Sequence, residues 1–189
     1  MRKTGLRVLG DVPWGRHVGL FYETKQDLLE ICRPFLQAGL ESNEGCVWVI
    51  AAPLTEQEAW AALRDTVPAL EQYRAEQRIE ILRSQTWYFT GDSPDLQKVA
   101  RGWEDRLADA LRRGHEGLRV AASAPRLDAK DWADFFDYEA RLNAYLADKA
   151  MLLLCFYPVP AGRAADVSRT HPSTVRKRHG EWEAPGAPD

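Results

Sequence analysis

The chain of 189 residues predicts one three-layer α/β domain, a mostly parallel sheet with helices on both faces. Two observations carry that expectation. Gly45–Ala52, Gly117–Ala124 and Met151–Tyr157 are apolar runs without alternation, the pattern of strands buried on both faces. Between them lie longer stretches with apolar residues at helical spacing, and strands alternating with such helices imply parallel crossovers. No repeat, linker or second composition regime divides the chain. Residues 1–16 are expected as an extended lead-in, 17–182 as the domain, and 183–189 as a flexible tail.

The elements follow in order. Gly10, Pro13 and Gly15 punctuate the lead-in, while Val8, Leu9, Val12 and Trp14 are placed to pack on the domain. Val18–Tyr22 predicts the first strand. A tight turn and a helix to about Leu40 follow, with Pro34 expected to kink it. Gly45–Ala52 predicts a second strand. A helix from Glu56 to Val67 and a short helical piece from Pro68 to Tyr73 come next. Arg78–Ser84 alternates as a third strand. Gln85–Asp92 is expected as an aromatic loop, with Ser93 capping a helix to about Gly114. The fourth strand is Gly117–Ala124, and Asp128 is expected to cap a helix to about Asp148. Met151–Tyr157 is the fifth strand, and a short helix after Gly162 is anticipated. Arg176–His179 reads as a solvated basic tail.

Bulk properties exclude several classes. The chain is 45% hydrophobic with a net charge of -3, ordinary for a globular protein and giving no global attraction to nucleic acid. No apolar run approaches the roughly 20 residues of a membrane span, and the N-terminus does not read as a signal peptide. Three scattered cysteines argue for a reducing cytoplasm without disulfides. Seven tryptophans imply an aromatic core or a lined pocket.

Known catalytic motifs are missing. No Gly-Lys pair exists, so no phosphate-binding loop can form, and Glu23 in the first turn would repel a triphosphate. There is no Gly-x-Ser-x-Gly elbow, His-Glu-x-x-His or Cys-x-x-Cys. His17, Cys46, Cys155 and His171 match no metal or haem ligand spacing, so neither a metal nor another cofactor is expected.

In open α/β sheets, ligands are received beyond the carboxyl ends of the strands. Tyr22, Glu23 and Thr24 occupy that position after the first strand. They form either a plain turn with Thr24 as helix cap or the floor of a small-molecule pocket. Trp87, Tyr88 and Phe89 either cover the core edge or form a lid over an apolar ligand. Glu139 falls on the apolar face of its helix and needs a partner; Arg119, inside an apolar strand, is the expected one.

Pro13-Trp14-Gly15-x-His17, Phe21-Tyr22, Gly39-Leu40, Asn43-Glu44, Cys46 with Trp48, Gln85-x-Trp87-Tyr88, Gly117-Leu118-Arg119, Tyr138-Glu139 with Asn143, and Cys155-x-Tyr157 occur in this order. This ordered set resembles the MEDS domain, the methanogen/methylotroph DcmR sensory domain, across about residues 5–182. The resemblance implies a KaiC/RecA-like core that has lost its phosphate loop. It also implies a sensor of small hydrocarbon-derived molecules, found in dichloromethane-responsive repressors and beside histidine kinases. The chain departs from the family at His17-Val-Gly19, where many members have His-x-Cys, and at Ala121–Arg126.

The candidate ligand-binding residues are therefore His17, Tyr22, Glu23, Thr24, Trp48, Trp87, Tyr88, Arg119, Glu139 and Tyr157. The expected function is a non-enzymatic cytoplasmic sensory domain. It would bind a small, apolar organic molecule and signal to a kinase, regulator or sigma-factor pathway. No membrane or nucleic-acid partner is expected, and self-association is left open. The rival readings are a ligand-free RecA-like interaction or oligomerisation module, and an enzyme using Glu23 or Glu139 as base with Tyr88 or Tyr138 assisting.

Overall fold

The structure, a computed structural model, describes residues 1–159, 164–178 and 180–184. It begins with a small hairpin, β1 (Arg2–Lys3) and β2 (Asp11–Val12), followed by β3 (Arg16–Tyr22), α1 (Lys25–Glu41) and β4 (Gly45–Ile50). Next come α2 (Glu56–Arg64), α3 (Leu70–Ala75), β5 (Ile79–Arg83) and α4 (Ser84–Tyr88). A second hairpin, β6 (Phe89–Thr90) and β7 (Ser93–Pro94), leads into α5 (Leu96–Arg112) and β8 (Leu118–Ser123). The last described elements are α6 (Trp132–Leu146), β9 (Met151–Pro158), α7 (Ala164–Thr170), β10 (Ser173–Arg178) and β11 (Glu181–Glu183).

One seven-stranded sheet, in the order β11-β10-β3-β9-β8-β4-β5, organises the fold. All neighbours pair in parallel except β10 and β11. The expected three-layer architecture is what forms. The apolar runs of β4, β8 and β9 stand centrally in the sheet, where both faces must be covered.

Alternation along each strand divides the core in two. Val18, Leu20, Cys46, Trp48, Leu152, Leu154 and Phe156 pack under α1 and α2. Val47, Val49, Val120, Leu153, Cys155 and Tyr157 pack under α5, α6 and α7. Trp48, Trp87 and Trp103 are buried, and Trp14, Trp60, Trp132 and Trp182 pack against the two cores. The tryptophans thus serve the core.

Several expectations are corrected. The Gln85–Asp92 segment is not an open loop: α4 forms a short helix turn and β6 starts a hairpin. Its Trp87 packs on Trp103 with ring centroids 4.4 Å apart. That approach depends on Gly102, where a Cβ would stand 2.4 Å from the Trp87 ring. Asp95 rather than Ser93 caps α5, its side chain accepting from the Lys98 N–H. The helix α6 starts at Trp132, beyond Asp128. Residues 173–178 are not a solvated tail but a sheet strand, β10, beside β3. His179 and residues 185–189 lie outside the described residues. No helix among the described residues is long and apolar enough to cross a membrane.

Candidate functional site

The first turn is closed by the chain itself. β3 ends at Tyr22, and Thr24 caps α1 two residues later. The Thr24 hydroxyl accepts from the Asp27 N–H at 3.1 Å. The Asp27 carboxylate in turn accepts from the backbone N–H groups of Thr24 (2.9 Å) and Glu23 (3.2 Å). This capping box fills the positive end of the helix with the protein's own anion. An incoming phosphate would have to displace a carboxylate that is also paired with Lys177 Nζ at 2.8 Å. Burial raises the Asp27 pKa, but Lys177 and the Thr24 and Glu23 hydrogen bonds outweigh it and bring it to about 2.

Arg119 and Glu139 do not pair, contrary to expectation. Arg119 projects from β8 on one face of the sheet, whereas Glu139 reaches the other face from α6. Arg119, on the α1 face, grips Glu44 through Nε (2.6 Å) and Nη2 (3.1 Å). It also donates to the Phe35 and Lys3 carbonyls, both at 2.8 Å. Its partner Glu44 follows Asn43 just before β4, and no spacing rule links the two. The fork ties the N-terminal hairpin and α1 to the sheet. Trp48 lies on that face too, whereas Trp87 and Tyr88 are buried beyond the end of β5 on the other.

Glu139 instead sits in a buried polar cluster between α6, β3, β9 and the end of α7. Its Oε2 lies 3.3 Å from His17 Nε2 and 3.2 Å from His171 Nε2. The Tyr157 hydroxyl donates to the same oxygen at 3.0 Å. Cys155 Sγ stands 3.3 Å from His17 Nε2. His17, Glu139, Cys155, Tyr157 and His171 are each at most 4% exposed. Burial pushes the Glu139 carboxyl up, but its contacts with His17 and His171 prevail and hold it at about 2. Burial and the neighbouring Glu139 push both the Cys155 thiol and the Tyr157 phenol well above their ordinary values. Three candidate residues, His17, Glu139 and Tyr157, are thus brought together, and Cys155 and His171 join them.

The local sequence explains this convergence. His17, Gly19 and Phe21 alternate onto one face of β3, and Cys155 and Tyr157 onto the same face of β9. A Cβ at position 19 would lie 3.0 Å from the His171 ring and 2.9 Å from Val167. Gly19 therefore lets the end of α7 come down onto β3, with the His17 and His171 rings 4.1 Å apart.

At the carboxyl end of the same face lies a hollow of about 330 Å³. Phe21, Glu23, Val159, Ser168, Arg176 and Lys177 are among its lining residues. It lies where the sheet order reverses, since the chain leaves β3 through α1 on one face and β9 through α7 on the other. A second depression of about 480 Å³ lies between β7 and the starts of α5 and α6; Asp95, Asp131 and Asp134 line it.

The comparisons with known proteins follow this architecture. The KaiC-like protein of the archaeon Pyrococcus horikoshii OT3 superposes with a TM-score of 0.62 at 17% identity, over 96% of this chain and 84% of that one. The flagellar accessory protein FlaH of Methanocaldococcus jannaschii superposes with a TM-score of 0.54 at 10% identity, over 94% and 79%. At these identities the likeness establishes the fold, a KaiC/RecA-like core. No curated protein matches the sequence. The MEDS profile, "MEthanogen/methylotroph, DcmR Sensory domain", matches residues 16–172, from the first residue of β3 to just past α7. The chain belongs to the MEDS sensory domain family.

Proposed function

We propose that the protein is a non-enzymatic cytoplasmic sensory domain that receives a small organic molecule in the hollow over the ends of β3, β9 and β10. The carrying observation is that hollow, open at the switch point of the sheet while the adjoining helix end is stoppered by Asp27. At about 330 Å³ it suits a ligand at the small end of the usual range of about 300–1,000 Å³. Phe21 and Val159 offer an apolar wall, and Ser168 and Arg176 a polar one. The ligand is therefore an organic molecule with a polar end rather than a pure hydrocarbon. It touches both α7 and β10, so its binding energy biases how α7 sits on the sheet. A signalling or transcription partner reads that difference.

The interaction-module reading expects a large apolar face outside. Among the described residues, the widely exposed large apolar side chains are Met1, Leu111 and Val159, on three separate parts of the chain.

A thermal-shift screen of small organic compounds against the full chain tests the proposal. A ligand at a hundred times its Kd stabilises by about 2.7 kcal/mol, roughly 5–10 °C for a domain of this size. Ser168→Trp, at an exposed position of α7, fills the hollow and abolishes the shift without lowering the unliganded Tm. A panel without a stabilising compound, or a shift that survives Ser168→Trp, contradicts the assignment.

A further inference from the structure

The buried cluster has an electrostatic problem that its hydrogen bonds define. Asn143 Nδ2 donates to the Thr170 carbonyl, which leaves Asn143 Oδ1 facing His17 Nδ1 at 2.9 Å. An amide oxygen only accepts, so His17 Nδ1 carries a proton. His171 Nδ1 lies 2.9 Å from the Val167 carbonyl and 3.0 Å from the Thr170 hydroxyl. That hydroxyl is within donating distance of the Asp166 and Val167 carbonyls, at 3.1 and 3.2 Å. His171 Nδ1 is therefore a donor as well. Each imidazole, when neutral, turns a bare Nε2 lone pair toward the Glu139 carboxylate. His171 Nε2 is in ion-pair range of Glu139 yet off the direction of a hydrogen bond, and it is a buried nitrogen without a hydrogen-bond partner. Lone pairs facing a carboxylate repel unless positive charge stands among them.

We propose that His17 Nε2, His171 Nε2, Glu139 Oε2 and Cys155 Sγ hold one divalent ion of the zinc class in a closed tetrahedral site. These donors all lie within 4.8 Å of one another. Zinc bonds of about 2.0–2.3 Å place tetrahedral donors about 3.3–3.8 Å apart; three of the six separations, at 3.2–3.3 Å, need only slight expansion, and the others, within 4.8 Å, must close by at most about 1 Å. Two imidazoles, a carboxylate and a thiolate form a mixed nitrogen, oxygen and sulfur set that zinc accepts. The charges cancel: the ion brings two positive, Glu139 and Cys155 one negative each, so a neutral unit is buried. On binding, the Cys155 S–H proton leaves to solvent as the sulfur–metal bond forms. Asn143 on His17, and the Val167 carbonyl on His171, orient the rings in the way outer-shell partners of metal ligands do. All four positions are filled by protein, so the ion is structural. It clamps α6 and the end of α7 to β3 and β9, below the hollow. This assignment does not rest on the ligand proposed there.

Elemental analysis of the full chain, purified without chelators, and cobalt titration of the chelator-stripped protein test it. The expected result is one ion per chain. Cobalt should give intense visible bands of a tetrahedral site and a thiolate-to-metal charge-transfer band. Chelation lowers the Tm and zinc restores it. Cys155→Ser removes the charge-transfer band, and Asn143→Ala weakens affinity by about 10–100-fold. If Cys155→Ser does not fold, the wild-type cobalt spectrum decides alone. No bound ion and no cobalt bands overturn the assignment. So does a bound ion whose charge-transfer band survives in Cys155→Ser.

Discussion

Arg119 shows how much one buried side chain can organise. A guanidinium within an apolar strand is tolerable because every direction it faces holds an acceptor: Glu44 twice, then the Phe35 and Lys3 carbonyls. Gly39 makes room, since a Cβ there would stand 2.7 Å from the arginine side chain. Removing the cation leaves Glu44 buried and held by the partly exposed Arg2 alone. Arg119→Ala is therefore expected to cost about 3–5 kcal/mol, measurable by urea denaturation; a loss below about 1 kcal/mol would show that Arg2 suffices. The sequence marks Arg119 and Glu139 as buried charges in need of partners, but not which partners. Each strand residue has two faces to choose from, and the face is set by register. Glu44, at the last residue before β4, offers no periodic signal. The histidine–glutamate–cysteine cluster was hidden for a related reason. His17 and Cys155 are 138 residues apart and meet only because β3 pairs with β9.

At the scale of elements, legibility followed burial. The strands β4, β8 and β9 declare themselves as unbroken apolar runs because both of their faces are covered. By contrast, β10 and β11 read as a charged tail, since they form the outer end of the sheet, with β11 at its edge, and carry many polar residues. Lys177 of β10 in fact reaches across to Asp27 and Glu30 of α1, at 2.8 Å each. This pairing makes the α1 start and β10 a pH-sensitive unit. Asp27 is depressed from 3.8 to about 2, so its contribution is full above 3.8 and is lost as pH falls through about 2. Lys177 is raised from 10.5 to about 12, first by Asp27 and then by Glu30. Its contribution is full below 10.5 and is lost as pH rises through about 12. Because Lys177 is partly exposed, the acid loss is expected at only about 1–2 kcal/mol. Comparing wild-type and Asp27→Asn stability between pH 5 and 2 checks it: the wild type should lose its advantage over the variant across that range. An unchanged difference would mean that the pair is silent. For the aromatic residues after β5 two readings stood open, a cover on the core edge or a lid. In the structure Gly102 admits Trp87 into the core, and Trp87 and Tyr88 of α4 are both buried.

Across the whole molecule, a KaiC/RecA-like sheet persists while the feature that would grip a triphosphate does not. The turn after β3 is two residues long, carries Glu23, and both of its N–H groups already serve the Asp27 carboxylate at the start of α1. The fold class was legible because alternating buried strands and helices admit few layer arrangements. The family was legible because its scattered residues keep their order along the chain. The site itself depends on which side of the sheet each strand turns, and only the three-dimensional arrangement supplies that. The direct measurement is calorimetric titration of the full chain with magnesium ATP. The account predicts no saturable heat at millimolar nucleotide; saturable binding that strengthens when Asp27→Ala opens the end of α1 would contradict it.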